Sequence, residues 1–342
     1  MDWSKGYSSR YYATIVDRNT WQDSISVSGI SRFEITGGTI ERTDSDLLES
    51  ADLDCIGYPE TNEQWIRVWL DTMQDGDYSH TPLFTGLATS PSRNIDGTVE
   101  KNSVQCYSVL KPAQDVLLSR GYYAPVDINS GVLIRRLLSV CGAPIDIAED
   151  APNLQNPIIA EDGESNLTMA WKVAIAVGWL IRIQGDGTIT VGPGQSESKW
   201  GFGISEYDIL EPEVDITYDW YGCPNVLRAN SNGYSATARD DDPESMFSTE
   251  ARGREIWVEE NDCDLAEGQS LATYARDRLK ELQETSVTIS YKRRYHPEIL
   301  VGDVITLHYP VQNLVGNFMV TSQSIDLGYS ARTSEEVVQL WG

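Results

Sequence analysis

Trp65-Ile66-Arg67-Val68-Trp69-Leu70-Asp71 alternates strictly. A second apolar run, Thr81-Pro82-Leu83-Phe84-Thr85-Gly86-Leu87-Ala88, follows it beyond the turn residues Asp75-Gly76-Asp77. A period of two places Ile66, Val68 and Leu70 on one face of a strand and Trp65, Arg67, Trp69 and Asp71 on the other. The aliphatic face is core, so the opposite face presents two indole rings to a neighbour or a second layer. Working outward, similar short runs fill Tyr11 to Leu110: Tyr11 to Val16, Ser24 to Val27, Arg32 to Ile35, Ser50 to Gly57 and Val99 to Leu110. Asp17-Arg18-Asn19, Gly37-Gly38 and Asp96-Gly97 separate them. This density of strands and turns predicts a small antiparallel barrel or sandwich.

From Lys111 to about Gly194 the period changes. Val132 to Gly142 has apolar residues at helical spacing, Arg135 and Arg136 outside, and a terminal glycine suited to a left-handed cap. Ser165 to Gly178 repeats that plan behind a polar N-cap. A hairpin is predicted next, Trp179 to Gln184 and Thr188 to Val191 around Gly185-Asp186-Gly187. From about Ile204, β text returns with one helix. Asp264-Leu265-Ala266-Glu267 has capping-box form, and Leu271, Tyr274, Ala275, Leu279 and Leu282 make a helical stripe. Val287, Ile289 and Tyr291 alternate as a strand, and Asp303 to Tyr309 and Phe318 to Leu327 are further strands. The chain divides into 1–110, 111–200 and 201–342, with the late helix at about 264–283.

The 342 residues hold 52 Asp and Glu against 26 Lys and Arg, a net charge of −26. Nucleic acid and anionic membranes require a basic footprint, so that balance argues against specific binding of either. Hydrophobic residues make up 40%, with 10 Trp and 17 Tyr against 5 Phe. That excludes disorder and favours amphipathic rings at half-wet surfaces, part of which β propensity alone explains. Cys55, Cys106, Cys141, Cys223 and Cys263 are scattered, without metal spacing, and read as reduced, mostly buried thiols. The N-terminus has no apolar signal region, and the longest apolar stretch, Trp171 to Ile183, is broken by Lys172, Gly178 and Arg182.

Catalytic signatures are thin. The three histidines, His80, His296 and His308, read as satisfied or solvated, and no nucleophile elbow, zinc helix or phosphate loop occurs. No catalytic, cofactor or metal residue is singled out. The run Asp240-Asp241-Asp242-Pro243-Glu244 lacks the alternating spacing of a cation loop and reads as a solvated acidic loop. Carboxylates are abundant enough for an Asp/Glu pair to cut sugars, so a glycan depolymerase with Trp rings stacked on its substrate is the alternative function.

Three segments, in order, resemble the central tail hub proteins of bacteriophages. The first is the Trp65 to Ala88 pair. The second is Glu161-Asp162-Gly163-Glu164-Ser165-Asn166-Leu167 through Val177-Gly178-Trp179-Leu180-Ile181 to Gly187-Thr188-Ile189-Thr190-Val191. The third is Tyr274-Ala275-Arg276-Asp277-Arg278-Leu279, leading to Ile299-Leu300-Val301-Gly302-Asp303-Val304-Ile305-Thr306-Leu307 and Gly316-Asn317-Phe318-Met319-Val320-Thr321-Ser322. The resemblance implies a mainly β fold with an α+β insert, in which two small antiparallel β-barrel domains flank a helix-plus-hairpin domain. It also implies a ring, usually a homotrimer, that joins the tail tube to spike, fibre or receptor-binding parts of the virion. DNA and the tape-measure protein pass through such a ring, and its subunits assemble in the host cytoplasm. No peptidase or lysozyme domain follows Gly342, so the expected role is structural, without enzymatic activity or cofactor.

A ring subunit needs large interfaces rich in aromatic anchors. The candidates are Trp65, Trp69, Tyr122, Tyr123, Trp220, Tyr221 and Trp257. The acidic charge has two readings, a channel wall that repels phosphates or simple solubility, and its location decides between them.

Overall fold

The computed structural model describes residues 6–24, 29, 32–58, 63–96, 99–194, 197–203, 210–231, 233–261, 263, 265, 269–284, 287–309, 314–328 and 332–340. The alternating stretches build β1 (Ser8–Val16), β2 (Asp23–Ser24), β3 (Arg32–Thr43), β4 (Glu49–Ile56), β5 (Gln64–Gln74), β6 (Asp77–Asp96) and β7 (Val99–Ser108). All but β2 form a closed six-stranded antiparallel barrel in the order β3-β4-β7-β6-β5-β1, sealed by β1 on β3. Ile66, Val68, Leu70, Leu83, Phe84, Ile40 and Leu53 are its buried core, as the alternation requires.

One turn predicted from glycine differs from the structure. Gly37-Gly38 does not end a strand, because β3 continues through it to Thr43 with a slip in register against β4. Gly38 has φ +117°, and a Cβ there would lie 2.1 Å from the Asp52 carbonyl oxygen, so the glycine makes a bulge and not a break. The Asp75-Gly76 turn stands where it is predicted, and β6, which begins directly after it, is far longer than its apolar run. The predicted strand Ser24 to Val27 lies mostly outside the described residues, as does the capping box at Asp264-Leu265-Ala266-Glu267 apart from Leu265.

The middle of the chain is α1 (Lys111–Asp115), β8 (Tyr123–Ala124), α2 (Ser130–Leu138), β9 (Ile145–Ile147), β10 (Ile158–Ile159), α3 (Asn166–Ala176), β11 (Trp179–Ile183) and β12 (Ile189–Pro193). Asn129 and Ser165 cap α2 and α3, each side-chain oxygen accepting from the backbone N–H three residues on. Gly142 and Gly178 take the left-handed conformation after the helices. Leu133, Ile134, Leu137, Leu167, Met169, Ala170 and Val173 pack on the predicted hairpin, β11 with β12, to which β9 adds a parallel strand.

The remaining strands are β13 (Ser198–Phe202), β14 (Leu210–Tyr218), β15 (Val226–Ser231), β16 (Tyr234–Arg239), then α4 (Thr249–Arg252), β17 (Trp257–Glu260), α5 (Leu271–Glu284), β18 (Val287–Arg294), β19 (Val304–Tyr309), β20 (Leu314–Asp326) and β21 (Arg332–Leu340). The sheet of the first barrel continues beyond β3 as β14-β18-β21-β20-β19-β13, around a separate core of Ile289, Tyr291, Ile305, Leu307, Phe318 and Val337. This part departs from a purely antiparallel barrel, because β13 lies parallel to β19 and no pairing of β13 with β14 closes it among the described residues. Between β14 and β18 sits a unit the sequence reading did not separate, a three-stranded sheet β16-β15-β17 with α5 on one face. The predicted stripe from Leu271 to Leu282 is the side of α5 that packs there, and Ser270 caps the helix. All five cysteines are free and buried, as expected.

One strand joins the two β units. The first half of β3 pairs with β1, while its second half, Thr39 to Thr43, pairs with β20, so one sheet passes through both. A buried polar chain runs across this joint. Arg42 donates to the Leu83 carbonyl at 2.5 Å and to Gln323 Oε1 at 3.4 Å, and it stands 3.6 Å from Glu49. Gln323 Nε2 donates to Glu335 Oε1 at 2.6 Å and to the Ile299 carbonyl at 3.1 Å. Glu335 also accepts from both Arg293 and the Tyr291 hydroxyl, all three residues being buried. Burial pushes the Glu49 carboxyl up to about 8 against the pull of Arg42.

The middle unit is fixed to both sides. Arg67 donates to the Asp186 and Trp21 carbonyls and pairs with Asp23 at 2.7 Å, while Thr85 donates to the Gly185 carbonyl. Gly185 is required, because a Cβ there would lie 2.0 Å from the Pro82 oxygen. On the other side Arg182 and Lys199 both reach the fully buried Asp303 carboxylate.

Two outcomes follow from this packing. Arg293→Ala leaves Glu335 buried without its cation, and chemical denaturation should show a loss of about 3–5 kcal/mol; an unchanged midpoint would contradict the buried chain. His296 is packed 4.2 Å from the Trp200 ring, and burial, with Arg293 and Lys199 nearby, lowers it from 6.5 to about 3. The unfolded chain therefore takes the proton first, so stability is full above pH ~6.5 and declines as pH falls towards 3. His296→Gln should flatten that decline in melting temperature.

Candidate assembly surfaces

The seven aromatic candidates separate into internal and exposed sets. Trp65 is only 7% exposed: it lies in the core of the middle unit, its ring 5.4 Å from that of Trp21. The second layer foreseen for that face is the chain's own, so Trp65 is a joint within the subunit and is not available to a neighbour. Tyr122 is half-buried at the edge of the same core, where its hydroxyl accepts from Arg136. Trp69 lies half-buried on the barrel surface, stacked on Tyr12 at 6.4 Å, its indole N–H donated to Thr14.

Four candidates stand in solvent. Tyr123 is 61% exposed and faces its cross-strand partner Ile159, itself exposed, on the rim of the middle unit. Trp220 and Tyr221 follow β14, and Trp220 lies 5.8 Å from the exposed ring of Tyr218. Arg252 ties down this loop by donating to the Trp220 and Cys223 carbonyls. Trp257, on β17, lies under the Arg228 guanidinium at 5.0 Å and donates to Glu255. Residues 220–223 and 252–257 meet at the root of the inserted sheet, so Trp220, Tyr221 and Trp257 form one region there. Neighbouring strand positions carried no hint of that meeting.

The polar surface is as ordered as the aromatic one. Cross-strand registers carry a single outward face from β14 to β7: Asp215 opposes Ser290, Ser290 opposes Glu336, and Glu336 opposes Ser322. Beside that row, Lys292, Ser334, Ser324, Glu41 and Ser50 continue in line across five strands. Ser324 donates to Glu41 at 2.6 Å, and a shallow groove of about 460 Å³ runs over this region. Asp52 and Asp54 extend the face on β4, opposite Gln105 and Ser103. Short hydroxyl side chains and carboxylates dominate, with Tyr107 opposite Ser50 and Ile56 beyond Asp54 as large side chains at its β4–β7 end. The sequence reading missed this face because it lies on strands far apart in the chain.

His80 Nδ1 lies 2.6 Å from Asp71, His308 points outward, and His296 is buried. Asp241 pairs with Arg239 at 2.7 Å, and Asp240 accepts from Ser245 and Gln283, which ties the acidic loop to its own framework. Among the described residues no group of His, Cys, Asp and Glu is placed to hold a metal ion, and no helix is long and apolar enough to cross a membrane.

No protein-family model matches the sequence, and no curated protein matches it. Solved structures do. The tail protein from Neisseria meningitidis MC58 superposes with a TM-score of 0.69 at 15% identity, over 98% of this chain and 97% of that one. The 43 kDa tail protein of prophage MuSo2 from Shewanella oneidensis gives 0.69 at 12% identity, over 97% of each. Prophage tail protein gp18 from Listeria monocytogenes EGD-e gives 0.57 at 11% identity, over 97% and 94%. The likeness spans nearly the whole of each chain, and this protein therefore has the fold of phage tail proteins, the fold expected from its resemblance to tail hubs.

Proposed function

We propose that the chain is a structural subunit of a phage-type tail hub. Three copies close into a ring in which the two β units of each subunit give six similar lobes. The ring joins the tail tube or a distal tail protein to spike, fibre or receptor-binding parts, and its channel passes DNA and tape measure. The role is architectural and resides in the virion.

One observation carries this reading. A continuous sheet through both β units presents a face of Ser, Thr, Asp and Glu with few large apolar side chains. A wall for moving polyanions should be smooth and negative, since carboxylates repel phosphates and short hydroxyls give bases nothing to stack on. We place this face on the channel. The aromatic regions at Trp220, Tyr221 and Trp257 and at Tyr123 then remain for contacts with other subunits and other tail proteins, as aromatic residues are enriched at such interfaces.

Light scattering on the purified chain should give three times its 38.1 kDa mass, independent of concentration over a broad range. A stable monomer at every concentration would contradict the ring.

A further inference from the structure

We infer that the outer face of the first barrel, where β1 and β5 meet the start of β6, is the surface on which the next copy of this chain docks. The inference rests on the ring proposal and specifies one half of its contact.

Six side chains define the face: Arg10, Tyr12, Arg32, Trp69, Tyr78 and His80. Tyr12 and Trp69 are register partners with rings stacked 6.4 Å apart and 12° from parallel. Arg32 covers the Tyr12 ring at 5.6 Å, and Tyr78 meets His80 edge-on at 4.6 Å. Tyr78 is 59% exposed, and a concavity of about 150 Å³ opens on the same face between Arg10, Tyr12, Arg32, Phe33 and Glu34. Tyrosine, tryptophan and arginine that are exposed or half-buried beside a small pocket are the residue types that anchor protein interfaces.

Charge selects the occupant. With 26 cationic side chains against 52 carboxylates, two copies of this chain repel each other over most of their surfaces. A stable contact between copies must therefore set its scarce cations against the partner's carboxylates. The carboxylates on this face are already engaged. Asp71 accepts from Tyr78 and lies 2.6 Å from His80, and Glu34 lies 3.9 Å from Arg10. Arg32 has the Tyr12 ring as its partner, with no carboxylate within salt-bridge distance among the described residues. With Arg10 and Arg32 set against Asp71 and Glu34, the face is close to neutral on a strongly acidic molecule. A ring of the proposed kind requires a head-to-tail contact, so this face meets a different surface of the next copy, and Arg32 meets a carboxylate there. Head-to-tail contacts are the kind that close into rings.

The test is the solution mass of Arg10→Glu/Arg32→Glu beside the wild type, with circular-dichroism melts of both. The Arg10 side chain is 62% exposed and both arginines point into solvent, so the fold should persist with an unchanged melt. The inference predicts that the wild type has three times the chain mass and that the double variant falls to the mass of a single chain. A trimeric, folded variant would overturn the docking face and leave the ring standing. A monomeric wild type would overturn the ring, and this inference with it. Should the double variant melt early, Tyr78→Ala at the same rim replaces it, and an unchanged trimer mass there counts equally against the face.

Discussion

The joint between β3 and β20 is the constraint on which the rest of the molecule depends. Two β units with separate cores would ordinarily be free to swing about a linker. Here a strand of one is paired to a strand of the other, and Arg42, Gln323, Glu335 and Arg293 run through the seam without reaching water. Such a chain contributes little net free energy when complete and costs several kcal/mol when one member is missing. Its effect is therefore to specify one geometry. The middle unit adds a third side, since Arg67 and Gly185 hold the β11–β12 turn to the first barrel and Arg182 binds Asp303 below the second.

Rigidity of that kind sorts the surface. Because β3 is shared, carboxylates and hydroxyls from distant parts of the sequence fall on one face from Asp215 to Asp54. The opposite side of the first barrel carries Arg10, Arg32 and their aromatic partners. In the proposed hub, a strongly acidic chain has to bind copies of itself and yet pass a polyanion, and separating its charges on two sides of one barrel would meet both demands. In that reading the net charge of −26 is a difference between two surfaces as well as an aid to solubility.

Much of this was legible in the sequence. The alternation from Trp65 to Asp71 located the core face of the first barrel, and the helical period, Ser165 and Gly178 marked α3 and both its ends. The stripe from Leu271 to Leu282 identified α5 and the side it buries. Three features were not legible. Gly37-Gly38 read as a turn, because a bulge and a turn ask for the same residue and only the register against β4 separates them. The sheet β16-β15-β17 was hidden because its strands are short and β17 joins in parallel from a distance. Trp65 read as an anchor for a neighbour, since an indole on the outer face of a strand looks alike whether its cover is another chain or a later segment of the same one. The polar face was invisible for a related reason: residues such as Glu41, Ser324 and Lys292 align only through pairings between strands hundreds of positions apart.

The most direct test of the account uses the fact that all five native cysteines are buried, so one added thiol can be labelled alone. Asp54→Cys, on the acidic face, would carry a small gold cluster into end-on electron micrographs of the assembled protein. The account predicts threefold rings with gold inside the central hole. Gold on the outer rim of a ring, or particles without a hole, would contradict it.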